Sequence, residues 1–142
     1  MAVASVLVIG GFFLPWVRGA GIFSLRSFSG FALAGIARDL GRDYAVVPLP
    51  GLVIFLVPAA VLNATVIATI GGSIGLTGLH RTLVSIAAGI YGCAVTGGIL
   101  FLVLAPVSGV HAVASGPQAG LFLAFGGCLV LLLSGLKGLQ TR

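Results

Sequence analysis

The chain has 142 residues, of which 59% are hydrophobic and 6% charged, and its mean hydropathy is +1.28. Soluble domains carry about 25% charged residues, so this composition excludes an ordinary water-soluble globule. The formal charge of +5 comes from seven Lys/Arg set against two acids; they are spread over connections, as around membrane helices, and too thinly for a nucleic-acid surface.

Four apolar stretches, 2–17, 49–70, 82–105 and 119–136, contain no Asp, Glu, Lys, Arg or His. A helix crosses a hydrocarbon core of about 30 Å with roughly 20 apolar residues, 17–25 being usual. The stretches number 16, 22, 24 and 18 residues in chain order. The first is slightly short and spans with help from Met1 and a snorkelling Arg18. None alternates as barrel strands do. The expected fold is therefore all-α: one integral membrane four-helix bundle over residues 1–142, with a short amphipathic helix at the interface.

The first stretch lacks a basic n-region and a small-x-small cleavage site, so it reads as a retained helix rather than a signal peptide. It is expected to end in Pro15-Trp16-Val17-Arg18, with Trp16 and Arg18 as anchors at the membrane–water boundary. The connection 18–44 carries Arg18, Arg26, Arg38, Asp39, Arg42 and Asp43. Within it Leu33, Ile36, Ala37 and Leu40 recur with helical spacing. This predicts a short interfacial helix over 30–40, with Ser29 as N-cap and Gly41 as C′ residue.

The second span holds Pro58 near mid-membrane, where a missing N–H should kink the helix, and Asn63 about a turn later. The pair suggests a polar notch for a lipid headgroup or quinone; the plainer reading is an interhelical hydrogen bond of about 0.6 kcal/mol. A glycine-rich connection, 71–78, leads to His80 and Arg81. The third span carries Ser85, Gly89, Cys93 and Gly97 at four-residue spacing, and the fourth carries Gly120, Ala124 and Cys128. Such stripes let helix backbones approach closely, either inside one bundle or against a foreign helix.

Cys93 and Cys128 fall near the middle of antiparallel spans and read as small apolar residues, with no CxxC or metal-ligand spacing around them. His80 and His111 flank the third span about 30 residues apart, on the order of 40 Å along a helix, too far to share one haem. No nucleophile–base set can be assembled, and no catalytic residue, metal ligand or cofactor is assigned.

Phe13-Leu14-Pro15-Trp16-Val17 followed by Ser27-Phe28-Ser29-Gly30 resembles a broad set of small bacterial four-helix membrane proteins. In these a Pro-Trp closes the first helix, a Ser-Gly turn sits in an extracytoplasmic loop, and a glycine-rich helix ends the chain. The topology is loosely similar to that of claudins, although the claudin first-loop Trp and paired Cys are missing here. The resemblance implies a multi-pass protein of the bacterial inner membrane, cytoplasmic termini and an outward-facing first loop, and no activity. Charge leaves the orientation open, with Arg81, Lys137 and Arg142 on one face against Arg18, Arg26, Arg38 and Arg42 on the other.

Ion and proton movers usually keep ionisable groups at membrane depth. Their absence points to a non-catalytic accessory subunit, with other membrane subunits and lipids as partners. An energy-transducing electron-transfer complex is the first host to consider. The alternative is a lipid- or quinone-binding or transport module at Pro58 and Asn63.

Overall fold

A computed structural model describes residues 2–20, 26–43, 49–105 and 114–140, with backbone alone at 40–43, 49, 50 and 114. Helices take up 80% of the described residues. They are α1 (Ala2–Phe13), α2 (Gly30–Asp43), α3 (Leu49–Ile70), α4 (Gly78–Leu104) and α5 (Ala119–Gln140). Three of them, α3, α4 and α5, are long and apolar enough to cross a membrane.

The expected fourth span is shorter than its apolar run. α1 has 12 residues, about 18 Å of helix against a core of about 30 Å. The reason is Pro15, which has no N–H to give the Gly11 carbonyl four residues back. The Trp16 indole supplies that hydrogen instead, its Nε1 donating to the Gly11 oxygen at 2.7 Å. Helical geometry therefore stops, and the chain continues as a strand, β1 (Pro15–Gly19).

That strand overturns the all-α expectation. β1 lies between β2 (Ser27–Ser29) and β3 (Ala114–Pro117) in a small antiparallel sheet. Its register pairs Pro15 with Ser29 and Arg18 with Ser27 on one side, and Val17 with Pro117 on the other. The Pro-Trp and Ser-Gly segments are thus neighbours in space. Ser115 ties β3 down further, its Oγ donating to the Gly19 carbonyl at 3.2 Å. The sheet closes the end of the molecule at which α1 and α4 finish and α2, α3 and α5 begin.

Trp16 is accordingly no surface anchor. It is fully buried, with Phe12, Val17, Leu121 and Ala124, in the hydrophobic cluster beneath the sheet. Arg18, the other expected anchor, is exposed on β1. Gly30, the first residue of α2, lies flat on the indole: a Cβ there would stand 2.6 Å from Cε2 and Cζ2 of Trp16.

The expected amphipathic helix is present and longer than predicted, since it runs through Gly41 to Asp43. Ser29 caps it, accepting from the Ala32 N–H at 3.2 Å. Its close face is Ala34 and Arg38, whose backbone abuts Gly51 of α3, while Ile36 points outward rather than inward as the spacing suggested. Phe31 leaves the helix into an aromatic ladder, stacked on Phe13 and edge-on to Phe55 with centroids 6.0 and 5.4 Å apart.

At the opposite end the 71–78 connection is a tight turn in which Gly75 takes a φ of +77°, a conformation glycine adopts without penalty. Thr77 caps α4, accepting from the His80 N–H, and its hydroxyl also meets the His80 ring at 2.6 Å. Arg81 reaches back to donate to the Ala68 carbonyl near the end of α3, as cations do at helix C-termini. α4 therefore starts four residues before the predicted span, and α5 runs four residues beyond it.

Replacing Trp16 by Phe keeps most of the apolar volume and strands the Gly11 carbonyl. Loss of about 1–3 kcal/mol is expected, read as an earlier midpoint when the detergent-solubilised protein is unfolded with a denaturing detergent. Gly30→Ala should cost a similar amount, about 1–3 kcal/mol, by overpacking the indole, and should shift the emission of the only tryptophan in the chain.

Candidate functional site

The small-residue stripes both pack inside this chain, but they meet each other only around Cys128. α5 lies between α1 and α4 and makes the most extensive contacts of any helix. On its α4 side a Cβ at Gly89 would stand 2.8 Å from the Leu132 backbone, and one at Gly92 would run into the Cys128 sulfur. Gly97 faces the Phe125 ring, and Ser85 is fully buried on the same stripe, its Oγ donating to the Arg81 carbonyl. Cys93 sits half-buried beside this seam. Since Gly92 touches Cys128, the two cysteines lie at one depth, and both are free thiols.

The α1 side of α5 is packed as closely. Gly120 faces the Leu14 and Pro15 carbonyls, 2.6 Å from where its Cβ would be, and Gly11 faces the Ala124 backbone at 2.7 Å. Gly127 receives Val8 and the Ala4 carbonyl. Gly120, Ala124 and Cys128 thus seat two partners in turn, both from this chain. Lipid removes the hydrophobic drive between helices, so close packing and short polar contacts must hold them. One such contact joins the Ser5 hydroxyl of α1 to the Thr65 hydroxyl of α3.

Pro58 lies within α3, partly buried. Asn63 is exposed, and its Nδ2 donates to the Ala59 carbonyl of its own helix at 3.0 Å. The structure places no second polar side chain with them. A polar contact earlier in α3 comes from a residue the sequence reading passed over: the Tyr91 hydroxyl of α4 donates to the Val53 carbonyl of α3 at 2.6 Å. Val53 immediately precedes Ile54, whose carbonyl is the one that Pro58 leaves without an N–H partner. The available signal was a phenol in mid-span, since a tyrosine hydroxyl away from water needs a partner.

Beside Tyr91 an apolar groove of about 460 Å³ runs between α3 and α4. A second hollow, of about 350 Å³, lies under the sheet against Leu14, Pro15, Gln118 and Ala119. His80 is committed to the Thr77 cap, and His111 lies outside the described residues. No group of three or more His, Cys, Asp or Glu that would suit a metal occurs among the described residues. No family model, curated protein or solved structure matches the chain.

Because Gly89 abuts backbone, Gly89→Ala should overpack the α4–α5 seam and cost about 1–3 kcal/mol. Gly98, with nothing within 4 Å of its missing Cβ, should accept alanine with no loss, or gain up to about 1 kcal/mol from helix propensity. Comparing the two unfolding midpoints checks both. Tyr91→Phe should cost about 0.6 kcal/mol, the average for a polar contact within a membrane protein.

Proposed function

We propose that this chain is a non-catalytic accessory subunit of a larger membrane protein complex. The observation that carries the reading is that stretches 49–70, 82–105 and 119–136 contain no Asp, Glu, Lys, Arg or His. Pumps, channels and proton relays spend free energy to keep such groups at depth; this bundle spends none. Its polar side chains there bond to nearby backbone, as Thr96 does to the Gly92 carbonyl at 2.6 Å and Tyr91 does to Val53.

Unused small-residue positions support the same reading. Among the described residues, beyond their own helix backbone, nothing lies within 4 Å of where a Cβ would stand at Gly10 on α1 or Gly126 on α5. Glycine inside a helix costs about 0.5–1 kcal/mol relative to alanine, and neither position recovers that by internal packing. Small residues on an outward face allow a neighbouring helix to approach. These two positions are where a partner subunit's helix would rest. Energy-transducing electron-transfer assemblies are the first hosts to test.

After extraction in a mild detergent, the tagged wild-type chain should migrate on a blue-native gel within a complex several times its own mass. Gly10→Leu or Gly126→Leu should release it as a small species while leaving its helicity unchanged. Wild-type protein that migrates alone would sink the reading.

A further inference from the structure

The groove between α3 and α4 has a definite length and depth in the bundle. Tyr91 closes one end and stands at the centre of α4, with thirteen helical residues on either side. The groove then follows Ala94 and Gly98 to Leu102, with Val53 and Ile54 of α3 forming the other wall. The eleven helical steps from Tyr91 to Leu102 make about 16 Å of helix, half of a hydrocarbon core of about 30 Å. The Leu102 end is the sheet end, since Val103 packs into the cluster with Trp16 and Val17. The groove is thus one leaflet deep.

Its chemistry is that of hydrocarbon. Among the described residues Tyr91 is the one polar side chain along it, and its single proton is already donated to the Val53 carbonyl at 2.6 Å. A quinone carbonyl placed there would find no donor. Ala94 and Gly98 deepen the floor by having little or no side chain, and among the described residues nothing beyond the backbone of α4 itself lies within 4 Å of where a Gly98 Cβ would stand. Eight of the described residues line the groove, few against the roughly 20–30 per side of a stable protein interface. Its volume of about 460 Å³ falls in the range of ligand sites.

We propose that this groove seats one acyl chain of a phospholipid from the sheet-side leaflet, with the chain's end against Tyr91. The seat does not depend on the identity of any host complex. Gly98→Leu and Ala94→Leu would each fill it, while Val66→Leu adds bulk at an exposed position of α3 outside it. Each protein is reconstituted in vesicles of palmitoyl-oleoyl phosphatidylethanolamine and phosphatidylglycerol, then released into the gas phase for native mass spectrometry.

Wild type and Val66→Leu should retain one phospholipid per chain, and both groove-filling variants should lose it by about tenfold, the ratio given by 1.4 kcal/mol. Equal retention in all four proteins would overturn the proposal, as would wild type that retains none. Loss of a dimer in the leucine variants, in place of a lipid, would make a second copy of this chain the occupant and would equally overturn it. Two fillers at different turns keep the test decisive if one of them fails to fold.

Discussion

One hydrogen bond lets the rest of the molecule close. Pro15 removes the donor that the Gly11 carbonyl would have met in a continuing helix, and the Trp16 indole replaces it. A buried carbonyl left without a donor costs about 1–3 kcal/mol, so the replacement is what makes the abrupt end of α1 tolerable. Because the chain leaves helical geometry there, its backbone becomes available for strand pairing on both edges. Gly30 can then lie on the face of the same indole, and the Gln118 N–H donates to the Trp16 carbonyl at 2.8 Å just ahead of α5. Three segments distant in sequence are fastened at one tryptophan.

From that corner the packing runs down α5. This helix has no charged residue before Lys137, and it touches α1 on one side and α4 on the other through glycine, alanine and cysteine. The contacts are close because the backbones themselves meet, Gly11 against Ala124 and Gly89 against Leu132. Large apolar side chains such as Phe101, Leu104 and Leu133 point outward instead. In water such a surface would be an aggregation hazard; in hydrocarbon it carries no penalty, and the small residues turned inward supply the cohesion.

The long helices were legible in the sequence because their apolar runs match the bilayer, and α3 follows its run from Leu49 to Ile70. The sheet was not. Its strands are three to five residues long, too short for alternation to register, and β1 pairs with residues about a hundred positions away. Trp16 shows the same limit: an indole beside an arginine suits an interface equally well whether it points out or in, and only the distant segments around it decide. The small-residue stripes were visible, but spacing alone names no partner. Tyr91 was overlooked because its hydroxyl is explained by a carbonyl 38 residues earlier, on another helix.

The placement of α5 between α1 and α4 has a consequence for biogenesis. α1 is synthesised well before α5, its main neighbour, and β1 likewise waits for β3. At about 5–20 residues per second, the hundred or so residues between them take several seconds or more to synthesise. Through that interval α1, at about 18 Å, has neither the length of a full span nor its closest partner. A nascent chain of this kind needs a protected place at the insertion machinery until α5 arrives. The order of synthesis runs opposite to the order of importance in the packed structure.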